Sequence, residues 1–371
     1  MSNQLTYKSF IIVLNIACLL CLSSCDPCSP RHTPDPSAEI GELVFSALTI
    51  NNDKPSIYTV NSDGTKLRKV ITEGILCSAP SNNGRIAYLS KNNSGEKIIM
   101  RAKLDGSDLK NISPNRTIGQ YIFMDLVNPI MSPDGNIISF SAGDGHLWET
   151  SYDGGLFSDI SSMFCEGTTP SISPNGKFLA YFQGESISNA LTIRIVDVLE
   201  NPPVNYVYKE YLFGVNEYRG EPTISWSKTG NLLSYVITQS GVQDAIIINK
   251  NDLSDELAIP CSNIGAFTTQ FSPQEDRLVY CGRDGNLYLL IIAYESKIIK
   301  LTNTELPVIN IYPQFSADGK KLCYTRYYSD QTDIFSGVIE VLNIDYFLGT
   351  GKREVNLIKN NAYRAFWTNK N

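Results

Sequence analysis

Two histidines occur in the 371 residues, His32 and His146, and they set the first limit on chemistry. A Ser-His-Asp triad needs an imidazole aligned with a nucleophile on one side and a carboxylate on the other. His32 falls in a proline-rich stretch, and no Gly-x-Ser-x-Gly elbow is found in the chain. His146 follows Gly145 and precedes Trp148, and it reads as a turn or strand residue rather than a base. A lyase-type metal centre draws on several imidazoles, which one His cannot supply. The acidic groups Asp252, Asp255 and Glu256, and Asp330 with Asp333, offer oxygen donors suited to calcium. No ligand loop of recognised spacing surrounds them, so they read as solvated loop charge, and neither metal nor cofactor is expected. Two carboxylates alone suffice for glycoside hydrolysis, and that reading stays open without a selected pair.

Binding chemistry is better represented. Three stretches between strand-like runs concentrate aromatic residues and arginine. Residues 115–127 hold Tyr121 and Phe123, residues 206–220 hold Tyr208, Tyr211 and Arg219, and residues 325–337 hold Arg326, Tyr327 and Phe335. Tyr and Arg dominate interface hot spots, and long loops on a rigid scaffold commonly carry function. Tyr121, Phe123, Tyr208, Tyr211, Arg219, Arg326 and Tyr327 are therefore the candidate binding residues. The competing reading is that these side chains plug a channel or cover sheet edges.

What must position them is a repeat. Ser132-Pro133-Asp134-Gly135, Ser173-Pro174-Asn175-Gly176 and Ser316-Ala317-Asp318-Gly319 are its clearest copies, and degenerate copies follow Pro80, Trp226 and Phe271. The period is roughly 40 to 55 residues, which marks one supersecondary unit stacked many times. Proline presets φ at the second turn position and glycine accepts a positive φ at the end. In the copy from Asn128 to Ile160, four short strand-like runs are separated by such turns, with Asp153-Gly154 as a hairpin signal. Four antiparallel strands in about 40 residues make one propeller blade. The turn aspartates Asp134, Asp144 and Asp318 are expected to cap backbone N–H groups rather than catalyse.

The two ends complement each other. Residues 41–46 begin as a second strand with no inner strand before them, and residues 363–369 end as an inner strand with nothing after. The expectation is an all-β, seven-bladed propeller of four-stranded antiparallel blades. Pairing of the N- and C-terminal strands would close it and remove the exposed edges that invite aggregation.

Composition agrees with a globular β-protein: 42% hydrophobic, 19% charged, 20 Tyr and 26 Gly. A formal net charge of −7 and the lack of a long basic run argue against nucleic acid. Of the nine cysteines, Cys281 and Cys323 fall on expected second strands as small buried hydrophobes. Cys77, Cys165 and Cys261 precede expected inner strands on one face. A disulfide there is permitted in an oxidising compartment, although blade separation disfavours any given pair.

Residues 1–24 read as a secretory signal, with Lys8 ahead of an apolar run from Phe10 to Leu20 that is short for a membrane span. Leu22-Ser23-Ser24-Cys25 resembles the bacterial lipobox. That resemblance implies lipid attachment at Cys25, and several acyl chains make anchoring stable. Residues 25–38, with Pro27, Pro30, Pro34 and Pro36, read as an extended tether, and 39–371 as the propeller.

The Pro-x-x-Ser-Pro-Asp-Gly turn followed by strands such as Leu179-Ala180-Tyr181 or Ile138-Ser139-Phe140 resembles the WD40-like repeat of the TolB family. TolB carries six blades behind an N-terminal α/β domain; here no such domain is expected before Glu39, and one more blade is. The resemblance implies a propeller used for protein contacts outside the cytoplasm. The expected function is a non-enzymatic, membrane-anchored lipoprotein, monomeric, that binds an envelope protein or glycan at the periplasmic or outer-membrane face. A carbohydrate-active enzyme using carboxylates is the alternative.

Overall fold

The computed structural model describes residues 42–49, 52–114, 117–118, 121–122, 126–142, 146–160, 170–184, 190–197, 204–212, 224–239, 243–250, 257–261, 268–292, 297–328 and 334–368. The signal and tether segments, with Cys25, lie outside them.

The described residues form an all-β propeller fold of four-stranded antiparallel sheets. Sheet 1 joins Leu43–Thr49, Asn52–Val60 and Arg68–Ile71 to the chain's last strand, Ala362–Trp367. Sheet 2 contains Ile75–Leu76, Arg85–Lys91, Lys97–Lys103 and Lys110–Asn111. Sheet 3 contains Val127–Met131, Ile137–Ser141, Leu147–Ser151 and Phe157–Asp159. Sheet 4 contains Ser171–Ile172, Phe178–Gly184, Ala190–Asp197 and Val204–Leu212. Sheet 5 contains Ile224–Trp226, Leu232–Gln239, Gln243–Lys250 and Leu257–Pro260. Sheet 6 contains Thr269–Phe271, Arg277–Cys281, Leu287–Ile291 and Lys297–Lys300. Sheet 7 contains Val308–Phe315, Lys321–Tyr328, Val338–Asn343 and Val355–Asn360.

Period-two alternation sends side chains to both faces of each sheet, so apolar clusters form in the seams between sheets. Leu43, Phe45 and Val60 of sheet 1 pack with Cys323, Ile339 and Val341 of sheet 7. Leu147 and Ile130 of sheet 3 pack with Leu179, Tyr181 and Val196 of sheet 4. The antiparallel register of the first and last strands runs from Leu43 opposite Trp367 to Ala47 opposite Ala362.

The repeated turn has one internal wiring. Ser132 Oγ donates to Asp134 Oδ1 at 2.6 Å and accepts from Ile137 N at 2.9 Å, while Asn136 N donates to the same Asp134 oxygen at 3.0 Å. Ser173 with Asn175, and Ser316 with Asp318, repeat it. Gly135 closes the turn at φ 74°. Burial opposes ionisation of Asp134 and Asp318, but the hydrogen bonds they accept outweigh it and hold both carboxyls below the usual range.

Several expectations need correction. Val204–Leu212 is an outer strand rather than part of a long connection, because its alternating Val and Tyr residues pair along the whole of Ala190–Asp197. Thr325–Tyr328 continues the second strand of sheet 7, paired with Val338 and Ile339. A helix, Ile344–Thr350, joins the third and fourth strands of that sheet, with Asn343 Oδ1 accepting from Tyr346 N and Gly351 at φ 69° ending it. Cys77 follows the innermost strand of sheet 2 rather than preceding it, whereas Cys261 stands after the outer strand of sheet 5 and before the inner strand of sheet 6, as expected. Cys77, Cys261, Cys281 and Cys323 are all buried thiols. Burial pushes the Cys281 and Cys323 thiols upward. Cys165 lies outside the described residues.

Candidate functional site

Innermost strands line the centre of a propeller, and three of them here carry an extra residue. In sheet 3 the register shifts between Val127 and Ile130; in sheet 7, between Ile311 and Gln314. In the last strand, Ala365 pairs with Phe45 and Tyr363 with Ser46, leaving Arg364 unopposed. The bulged backbone puts Asn128 at φ 48°, Tyr312 at φ 55° and Arg364 at φ 45°. Asn tolerates this region; for Tyr and Arg it costs on the order of 1 kcal/mol or more. Pro129 and Pro313 follow two of the three, at the bulge positions where a strand can host proline.

Sheets 7 and 1 are neighbours, so two of these bulges converge. The Arg364 guanidinium lies 5.0 Å from the Tyr312 ring centroid and 5.0 Å from that of Phe366. Tyr363 meets Tyr312 edge-on at 5.6 Å and Phe335 at 5.9 Å. Phe335, on the single 3₁₀ turn Ile334–Ser336, is 1% exposed and belongs to the apolar cluster shared by sheets 2 and 3. It therefore links the Tyr363 ring to the core shared by sheets 2 and 3. The inner strands are also stitched by polar bonds: Gln270 Nε2 donates to Gln314 Oε1 at 2.6 Å, and Trp226 Nε1 to Ser171 O at 2.9 Å.

Of the sequence candidates, Arg326 and Tyr327 sit on the second strand of sheet 7. Arg326 pairs with Glu340 at 3.1 Å, and Glu340 in turn accepts from the Tyr324 hydroxyl at 2.8 Å. Tyr327 is buried. Tyr208 and Tyr211 lie on the outer strand of sheet 4, and Tyr121 on a two-stranded ribbon, Thr117–Ile118 with Tyr121–Ile122. Phe123 and Arg219 lie outside the described residues. The candidates thus spread over several elements, while Arg364, Tyr312 and Tyr363 cluster without having been singled out in sequence. Tyr312 and Arg364 share the step just before Pro or Ala in the repeat, where Thr169 and Glu221 also fall, but that position does not itself announce a bulge.

Other chemistry is sparse. His146 Nδ1 contacts Asp159 Oδ2 at 2.8 Å, which fixes its ring at the start of the third strand of sheet 3. Arg85 and Arg101 clamp the two faces of the Tyr152 ring at 4.1 and 4.2 Å, and Tyr152 donates to Asp108 at 3.0 Å. This fastens sheet 2 to sheet 3. Among the described residues no three His, Cys, Asp or Glu side chains gather as a metal ligand set. Asp252, Asp255, Glu256, Asp330 and Asp333 lie outside them. Glu149 is the exception among carboxyls: burial pushes it up to about 7. It shares a face with Leu147, which packs in the seam between sheets 3 and 4.

The turns on the Ser-Pro-Asp-Gly side bond to one another. Asn82 N donates to Pro133 O at 2.7 Å and Asn83 Nδ2 to Asp134 O at 3.0 Å. Thr229 N donates to Glu275 Oε1 at 2.6 Å, Gln274 Nε2 to Asp318 O at 3.0 Å, and Lys321 Nζ to Ser62 Oγ at 2.7 Å. Among the described residues no helix is long and apolar enough to cross a membrane.

The fold defines the chain as a β-propeller. No family model and no curated protein matches it. Similar solved structures include TolB from Acinetobacter baumannii, with TM-score 0.50 and 15% identity over 88% of this chain and 83% of that one. Another is one of two prolyl endopeptidases, with TM-score 0.53 and 13% identity over 72% of this chain and 41% of that one. A third is hydrazine synthase of Kuenenia stuttgartiensis, with TM-score 0.50 and 14% identity over 74% and 78%. The chain spans less than half of the peptidase's length. At these identities the likeness is one of fold, shared by enzymes and TolB alike.

Proposed function

We propose that this chain is a non-enzymatic propeller lipoprotein, exported and anchored through Cys25, that serves as a binding scaffold for a protein or glycan of the bacterial envelope. Its seven four-stranded sheets act as seven blades of one closed ring. Support for the ring comes from the pairing of Leu43–Thr49 with Ala362–Trp367 and from the contact of that last strand with the innermost strand of sheet 7.

The observation that carries the binding reading is the contrast between two regions. The short-turn side spends its polar groups on neighbouring turns, whereas the inner-strand rim gathers half-buried Arg364, Tyr312 and Tyr363 on strained backbone. Strain of that kind persists where surrounding structure holds it for a purpose. The scaffold reading also fits a chain with a single histidine beyond its tether.

Crosslinking in intact cells followed by purification tests it. Recovery of one dominant envelope partner, lost in a variant carrying Arg364→Ala with Tyr312→Ala, is the expected result. Turnover of a chromogenic glycoside or polysaccharide by the purified protein, abolished by one carboxylate substitution, would instead favour an enzyme. For the anchor, Cys25→Ser is expected to release the protein from membranes into the soluble fraction.

A further inference from the structure

Arg364 is charged and half-buried, with its guanidinium 5.0 Å from the ring centroids of both Tyr312 and Phe366, and among the described residues it has no acidic partner. Its Nε lies buried without a hydrogen-bond acceptor. An unmet buried donor on a guanidinium costs free energy, and an anion on the half-exposed remainder of the group would offset it. We propose that Arg364 and its aromatic walls form a receptor for a carboxylate, supplied by an acidic side chain or the C-terminal end of a partner polypeptide entering the centre of the ring. This rests on the scaffold reading above and adds the chemistry of the occupant.

Three observations fit a carboxylate on a polypeptide. The guanidinium fork matches a carboxylate with two parallel N–H···O bonds, which an ammonium does not provide. Contact with the Tyr312 and Phe366 rings restrains the side chain, so less rotamer freedom is lost on binding. The walls are apolar rings, and the Gln270 amide on an adjoining inner strand is committed at both ends: it donates to Gln314 and accepts from Phe315 N at 2.9 Å. Trp367 Nε1 is likewise spent on Gln314 O. A peptide brings one carboxylate beside apolar atoms, which suits ring walls, and a sugar carboxylate is the competing occupant that the test separates.

The backbone supports a role beyond folding. Glycine at position 364 would accept φ 45° without strain, so arginine there is not the stable choice. The test uses the mature protein with three probes: an N-acetylated peptide ending in Phe-Asp with a free terminus, the same peptide as Phe-Asn-amide, and tetragalacturonate. Calorimetric titration is expected to show binding of the first alone. Arg364→Gln should weaken it about ten- to a hundredfold, and Arg364→Lys several-fold, as loss of a charged hydrogen-bonded pair implies. Arg364→Gly should melt no lower than the parent while failing to bind. Equal binding by parent and Arg364→Gln, a preference for tetragalacturonate, binding by none of the probes, or a fall in melting temperature for Arg364→Gly would each overturn the assignment. Partner crosslinking that survives Arg364→Gln would reject this carboxylate receptor while leaving the wider scaffold reading intact.

Discussion

The indole of Trp367 donates its Nε1 hydrogen to the carbonyl oxygen of Gln314 at 2.8 Å. The bond ties the last strand of the chain to the innermost strand of sheet 7, while the same last strand pairs with Leu43–Thr49 on its other side. The end of the chain is thereby made part of the start. Removing residues 362–371 strips sheet 1 of its inner strand, opens the seam holding Phe45, Cys323 and Ala365, and leaves two unpaired edges. The expected outcome is loss of cooperative melting or aggregation during refolding. Trp367→Phe isolates the hydrogen bond and should cost about 1 kcal/mol in urea unfolding. Parent-like melting of the truncated chain would contradict the closed ring.

Turn wiring makes a second, sharper prediction. Asp134 accepts from Ser132, Asn136 N and Asn136 Nδ2, and its carboxyl sits below the ordinary value of 3.8. A lowered folded value means the stabilisation is present above pH 3.8 and drains away as pH falls toward the folded value. Asp134→Ala should cost about 1–2 kcal/mol at pH 7, the usual effect of losing such a cap. Asp134→Asn should be near neutral there, because Asn175 performs the same task in the turn of sheet 4. Urea titrations at pH 7 and pH 3 check both, and the Asn variant should show the weaker acid sensitivity.

Those turns were also the legible part of the molecule. Ser132, Asp134 and Gly135 meet within one turn, so their pattern survives in sequence without tertiary information. The missing inner strand before Leu43 and the surplus one at Ala362–Trp367 are local too, and their complementarity can be read from the two ends. The rim site was not legible. A bulge depends on register against a partner strand, and nothing in Arg364 or Tyr312 themselves announces a positive φ. Val204–Leu212 looked like a loop because its tyrosines imitate a binding segment, although alternation is what an outer strand requires. The helix at Ile344–Thr350 had its signals in place, Asn343 before it and Gly351 after it, but the repeat primes a hairpin reading at that point.

Gly337 shows how closely the cap over the rim is fitted. A Cβ there would lie 2.6 Å from Thr325 Cγ2 and 2.8 Å from the carbonyl oxygen of Ala362. Ala362 N meanwhile donates to Gly337 O at 3.0 Å, so the two backbones cannot separate without losing a bond. Gly337→Ala should therefore destabilise by about 1–3 kcal/mol, the range for overpacking a tight contact. The turn carrying Phe335 would shift with it, and the same variant should lower peptide binding at the rim without touching Arg364. Unchanged melting would mean that the contact relaxes freely.

Glu149 gives the protein a pH response of the opposite sign to the turn aspartates. It lies opposite Ser139 on one neighbouring strand and Ser158 on the other, and its Oε2 is buried without a hydrogen-bond partner. Tyr181 and Arg194 of sheet 4 are paired across strands on the face that meets this seam. Burial alone raises the carboxyl from 4.5 to about 7. With the folded value above the unfolded one, the stabilisation is complete below pH 4.5 and is lost as pH climbs through 7. The shift corresponds to about 3 kcal/mol across that window by the usual conversion. Glu149→Gln removes the charge while keeping the shape, so it should be the more stable protein at pH 8 and indistinguishable from the parent near pH 4. Melting temperatures recorded from pH 4 to pH 8 for the two proteins should diverge steadily above pH 5. Parallel curves would show that Glu149 keeps its charge in the seam.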